Sequence, residues 1–254
     1  MAVVVGTLAD SYARHLRPVP PAGPGVCRTC HGAADEGFAQ CYSCQGQREI
    51  LAGGVADVVV PIALSVKRER LAVDLWRYKN SPNPLERRLL TLRLAAVLWR
   101  FLAEHEACLA GVCAVSEFGC VTGVPSAAGR AGTHPLDVLV RLVGGLRDRY
   151  RPLLAATGAE MDRRARGDRF RALSPLRGSA VLLIDDTWTT GAHAQSAAAA
   201  LRAADAGCVA VVVLGRRFDP AFREAEPSGA RFGGRAFSWG TCAAEPAGSV
   251  VRAH

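Results

Sequence analysis

The sequence predicts an α/β fold, a parallel sheet flanked by helices, with a small cysteine-rich module near its N-terminus. Two observations carry this. Val181-Leu182-Leu183-Ile184 is a run of four consecutive apolar residues, the pattern of a central strand buried on both faces. Asp185 and Asp186 are expected at the carboxyl end of that strand, Thr187 to Gly191 in a hydroxyl-rich turn, and the Ala-rich stretch Ala192 to Ala204 in a helix. The second observation is a pair of Cys-x-x-Cys knuckles, Cys27/Cys30 and Cys41/Cys44, the spacing of a tetrahedral zinc site. The resulting organisation is an N-terminal segment, residues 1–50, with the ribbon over Cys27 to Cys44, and a larger phosphate-binding α/β domain, residues 51–254, whose tail is expected to be partly disordered beyond about residue 240.

The 254 residues are half hydrophobic, enough for a sizeable core. A net charge of +8 and a pI near 9.3 suit an anionic partner, either a sugar polyphosphate or a nucleic acid. The heavy Ala, Arg, Gly and Val usage fits a GC-rich coding background equally well. No basic, apolar leader precedes Leu8, and no apolar run approaches the roughly 20 residues that span a bilayer. The chain therefore reads as cytoplasmic, and its nine cysteines as something other than a disulfide framework.

Residues 1–26 hold little pattern beyond a short helix over Asp10 to Leu16 and a Pro/Gly-rich lead-in. In the ribbon that follows, four thiolates complete a zinc shell, which leaves His31 as a surface histidine. A module with so few apolar residues needs such a staple. Having few basic residues, it suits a structural cap or partner dock better than DNA binding. Residues 55–66 read as a strand interrupted by Pro61. Helices follow over Arg68 to Tyr78 and Pro84 to Glu104. The second has a stripe of Leu85, Leu89, Leu92, Ala96 and Trp99 at helical spacing, read as its core face. The basic residues of this region, Lys79 among them, are dispersed and read as solvated faces in preference to a patch for phosphates or nucleic acid.

Either Val112 to Val115 or Cys120 to Pro125 is expected to be another strand of the sheet. The small-residue loop after it, Ser126 to His134, precedes a helix from Pro135 to about Tyr150. Strand, loop and helix start recur there, so Arg130 and Thr133 are candidates for a second anion cradle. Cys108, Cys113 and Cys120 show no ligand spacing and read as buried small hydrophobes. The stretch Glu160 to Arg171 lacks apolar periodicity and reads as a mobile, arginine-rich loop able to close over a site. Cys208 to Leu214 reads as a further buried strand, ending beside Asp185.

The chemistry of the central stretch follows from its order. A helix start presents unpaired N–H groups and partial positive charge, which accept a phosphate. The hydroxyls of Thr187, Thr189 and Thr190 add donors, and Gly191 permits close backbone approach. Asp185 and Asp186 would repel a phosphate but accept hydrogen bonds from sugar hydroxyls. The stretch thus reads as a ribose 5-phosphate site, against the plainer reading of a capped helix after a buried strand.

Val181 to Gly191 resembles the phosphoribosyl-pyrophosphate (PRPP) motif of type I phosphoribosyltransferases. Together with the double Cys-x-x-Cys ribbon and the basic helical segment, it resembles the ComF family. The resemblance implies a type I phosphoribosyltransferase fold, with Mg²⁺ on the pyrophosphate and ribose hydroxyls of PRPP and a nitrogen nucleophile displacing pyrophosphate. Asp185 and Asp186 would hold the ribose, one acting as a base. Thr187, Trp188, Thr189, Thr190 and Gly191 would hold the 5-phosphate, and the loop with Arg130 and Thr133 the pyrophosphate. Two other readings stay open: a PRPP- or nucleotide-binding protein without turnover, and a factor handling single-stranded DNA or docking a DNA-processing protein, as the family's link to competence implies.

Overall fold

The computed structural model describes residues 2–126, 133–159, 162–221 and 236–244. Its centre is a four-stranded parallel sheet in the order β1-β6-β5-β2: β1 Val58–Val66, β2 Cys120–Gly123, β5 Ala180–Trp188 and β6 Cys208–Phe218. A small antiparallel pair, β3 Leu154–Ala156 and β4 Phe170–Ala172, lies apart from it. The helices are α1 Ala2–Ala13, α2 Tyr42–Ile50, α3 Arg70–Asn80, α4 Pro84–Val112, α5 Pro135–Leu142, α6 Gly144–Arg147 and α7 Ala192–Ala203.

Alternation along β5 assigns the two layers. Leu182 and Ile184 enter a core shared with α1, α3, α4 and α5, whereas Val181 and Leu183 enter one shared with α7, the ribbon cysteines and the β3–β4 pair. All four residues are fully buried, as a strand covered on both faces requires. α7 presents Ala194, Ala197, Ala198 and Leu201 to the sheet, and these small side chains let helix and strands lie close. Among the described residues no helix is long and apolar enough to cross a membrane.

Several elements differ from the expectation for physical reasons. Pro61 does not interrupt β1, because β1 is an edge strand, where a missing N–H costs no ladder bond; Pro61 stays in register with Val213. β5 runs through Trp188, since Thr187 and Trp188 still pair with Gly215 and Arg216 of β6, so the turn is confined to Thr189, Thr190 and Gly191. The N-terminal helix covers Ala2–Ala13 rather than Asp10 to Leu16. The stripe chosen for α4 is largely outward: Leu85, Leu89 and Leu92 are exposed, and only Ala96 of the five is fully buried. The core face instead runs through Leu90, Leu94, Val97, Leu98 and Phe101. In this strongly apolar helix two periodic faces compete, and only the position of the sheet chooses between them.

The cysteines also differ. Cys113, at the C-cap of α4, forms a disulfide with Cys208, the first residue of β6, across a separation of 95 residues that no local spacing reveals. His31 is buried rather than superficial, its Nδ1 3.1 Å from the Pro20 carbonyl. Of the tail expected to be disordered, residues 241–244 pack with 236–240 against α4, with Cys242 buried, and residues 245–254 lie outside the described residues.

Candidate functional site

The site lies where the chain splits around the sheet. β2 and β5 are neighbours, but the segment after β2 leads into α5 on one face while that after β5 leads into α7 on the other. Divergence of two adjacent connections opens a crevice at the carboxyl ends of the strands, the usual ligand position in open α/β sheets. A cleft of about 280 Å³ occupies that position. Val124, Pro125 and Ser126 after β2 form one wall; Asp185, Asp186 and Thr187 of β5 form the floor; Thr189, Thr190 and Gly191 lead to the start of α7.

The two carboxylates differ. Asp186 is 3 % exposed, and its Oδ2 accepts from the Tyr78 hydroxyl and pairs with Lys79 Nζ, both from the end of α3. Asp185 is the more accessible; its Oδ1 accepts from the Asp186 backbone N–H at 2.8 Å. Burial pushes the Asp185 carboxyl up from 3.8 to about 7. The charge of Asp186 adds to the rise, while Lys79 and the N–H groups of Asp186 and Thr187 oppose it.

This rise carries a stability consequence. Between its ordinary 3.8 and about 7, Asp185 keeps a proton in the folded state that it has released in the unfolded chain. That contribution is complete below the unfolded value and is lost as pH rises through about 7. The melting temperature of the wild type is therefore expected to fall relative to Asp185→Asn from about pH 4 to about pH 8. A constant difference between the two proteins in thermal scans across that range would refute the assignment.

Gly191 closes the turn at φ +85°, in the left-handed region. A Cβ built there would lie 2.0 Å from the Trp188 ring, so the absence of a side chain serves both backbone conformation and packing. Trp188, expected among the ligand contacts, is instead fully buried beneath this glycine and does not line the cleft. The turn is further tied by Thr190 Oγ1, which donates to the Arg163 carbonyl at 3.3 Å. His193 lines the cleft in the first turn of α7. Its Nε2 accepts from Arg169 at 2.8 Å, and burial followed by the Arg169 charge lowers its pKa, so it stands neutral.

Other sequence-derived candidates fall elsewhere. Thr133 is exposed and outside the cleft lining; Arg130 lies outside the described residues. Arg169, read as part of a mobile loop, is 1 % exposed and donates to Asp162 Oδ1 and to the Asp162 and Arg164 carbonyls as well as to His193. It braces the loop against α7 and has no freedom to sweep over a ligand. Arg166 is likewise engaged by Asp168, and its N–H by Ser196. No local sequence signal marks Tyr78, Lys79, His134 or His193 as site residues. Tyr78 and Asp186 are 108 residues apart, and Lys79 looks like any other member of a dispersed basic set.

The four ribbon cysteines converge. Their sulfurs lie within 4.8 Å of one another, with Cys30 and Cys41 3.8 Å apart, close to the ~3.8 Å edge of a tetrahedron with zinc–sulfur bonds of ~2.3 Å. Three of them are fully buried and none is disulfide-bonded. Hydrogen bonds within the cage pull the Cys27 thiol pKa down and push those of Cys41 and Cys44 up, because four thiolates this close cannot all ionise without a cation. The donor set and geometry fit a structural zinc ion.

The cage also reaches the cleft. Arg216, from the end of β6, packs its guanidinium against Gly32 of the ribbon, and its Nη1 donates to the Thr189 carbonyl at 3.2 Å. Burial opposes its charge, but the Cys30, Cys41 and Cys44 thiols hold its pKa above the ordinary value. Gly32 leaves space for the guanidinium, since a Cβ there would stand 2.2 Å from Arg216 Nη2. In parallel, Gln47 Nε2 of α2 donates to the Thr190 carbonyl at 2.5 Å. Two side chains thus fasten the 189–191 turn to the ribbon. Arg216→Met, which keeps most of the apolar volume and removes the charge beside the cysteines, is expected to speed chelator-driven zinc loss about tenfold, the scale of losing one outer-shell partner of a metal site. Unchanged release kinetics in a colorimetric zinc assay would show that Arg216 does not support the cage.

No protein-family profile matches the chain, and neither the curated proteins nor the solved structures contain a significant match to it.

Proposed function

We propose that this protein is a ComF-like phosphoribosyltransferase of the type I fold, binding PRPP with Mg²⁺ in the β2/β5 cleft and transferring the phosphoribosyl group to a nitrogen acceptor. The observation that supports this best is the order of groups along one strand end: two carboxylates, a hydroxyl-bearing turn closed by a left-handed glycine, and the start of a helix, all facing one crevice. Asp185 and Asp186 accept hydrogen bonds from the ribose diol. Thr189, Thr190 and the first N–H groups of α7 hold the 5-phosphate. Lys79, beside Asp186, supplies positive charge near the departing pyrophosphate.

In the reaction the C1–oxygen bond to pyrophosphate breaks and a C1–nitrogen bond forms. The carbon between them is oxocarbenium-like, so fixed charges around the ribose and the leaving group carry the rate. Two adjacent carboxylates are fewer donors than an all-protein magnesium cage, and Mg²⁺ commonly binds through one or two carboxylates plus substrate phosphates, which suits its arrival with PRPP. Because Asp185 must be ionised to accept from two hydroxyls, binding is expected to strengthen as pH rises through about 7.

The test is calorimetric titration with PRPP and Mg²⁺, followed by a screen of acceptor bases for pyrophosphate release. Binding with release assigns a transferase; binding without release to any acceptor assigns a PRPP sensor. Absence of binding by a folded, zinc-loaded protein overturns both.

A further inference from the structure

A second cluster of soft ligands lies far from the cleft. His105 and Cys108 are three residues apart on α4 and so share one face of the helix. Cys242, from the segment 236–244, reaches that face. The three ligand atoms all lie within 4.8 Å of one another, and Cys108 Sγ is 3.7 Å from His105 Nδ1. For zinc–sulfur and zinc–nitrogen bonds of ~2.3 and ~2.1 Å, the sulfur–nitrogen edge of a tetrahedron is ~3.6 Å. The donors are therefore already at coordinating separation.

The histidine is oriented for this role. Its Nε2 lies 2.5 Å from the Trp239 carbonyl, an acceptor, so the proton sits on Nε2 and the lone pair of Nδ1 faces the sulfurs. A ring N–H donated to a carbonyl while the other nitrogen faces soft ligands is the outer-shell arrangement of metal-bound imidazoles. His105 and Cys242 are 1 % and 4 % exposed, whereas Cys108 is partly exposed and offers the entry path.

We propose that His105 Nδ1, Cys108 Sγ and Cys242 Sγ form a second zinc site, with water or another small donor in the fourth position. Occupancy clamps residues 236–244 onto α4, reinforcing the edge-to-face contact of Phe237 with Trp239 at 4.9 Å and the cation–π contact of Arg100 over Trp239 at 6.0 Å. Both thiols lose their protons on binding, so occupancy rises with pH.

The full chain, reduced and loaded anaerobically with zinc, is expected to hold about two equivalents, falling to about one in Cys108→Ser with the four-cysteine cage intact. Elemental analysis after desalting reads the stoichiometry. In the wild type, zinc is expected to slow iodoacetamide alkylation of Cys108 at least tenfold, read by peptide mass spectrometry, and this arm does not depend on a variant folding. One equivalent in wild type and variant alike, or alkylation of Cys108 at the same rate with and without zinc, would overturn the site and leave the trio as an ordinary tail contact.

Discussion

Asp185→Asn/Asp186→Asn is expected to lower the affinity for PRPP–Mg²⁺ by about 10²-fold or more. Each carboxylate that accepts a sugar hydroxyl contributes a charge-assisted hydrogen bond of about 1.5–3 kcal/mol, and each ~1.4 kcal/mol is tenfold in affinity. The amides keep the shape and remove the charge, so a loss reports on chemistry rather than volume. The single variants are expected to part company in stability. Asp185→Asn removes a cleft-facing charge disfavoured by desolvation and by Asp186, and stabilises the unliganded protein above about pH 7. Asp186→Asn strips Lys79 of its counter-ion and costs about 3 kcal/mol or more. Calorimetric titration and thermal melts on the three variants separate the two effects. PRPP affinity unchanged in a folded double variant would remove the carboxylates from the site.

Gly191→Ala is the single substitution expected to disturb the site most through its backbone. The left-handed conformation costs an alanine about 1–2 kcal/mol, and pushing aside the Trp188 ring, 2.0 Å from the new Cβ, adds about 1–3 kcal/mol. A destabilisation of about 2–5 kcal/mol in a chain of this size corresponds to a melting shift of roughly 5–15 °C. Relief of the clash requires the 189–191 turn to move, so phosphate affinity falls with stability. In Gly191→Ala/Trp188→Leu the steric part of the loss is expected to be recovered and the backbone part to remain. A melting temperature within about 2 °C of wild type for Gly191→Ala alone would contradict the packing described.

Residues adjacent in sequence were the legible ones. The apolar run of β5, the Ala-rich α7 and the two knuckles each express their structure within a dozen residues, through burial on both faces, helix propensity and ligand spacing. The same locality made the cluster from Asp185 to Gly191 visible as a site candidate. The Trp188 side chain was not readable, because its burial depends on how far β5 stays paired to β6. Nor was the buried face of α4, where apolar residues lie on every side and the sheet alone selects Leu94, Val97, Leu98 and Phe101.

By itself, then, the sequence determined the α/β class, the strand–turn–helix unit with its carboxylates and glycine, and the four-cysteine ligand set, because each is a local pattern with a direct physical cause. Tertiary structure alone decided which distant groups complete them: Tyr78 and Lys79 on Asp186, Arg216 and Gln47 between ribbon and turn, Cys113 with Cys208, and His105 beside Cys108 and Cys242. These pairings depend on strand order and on the face to which each connection runs, and no local spacing encodes either.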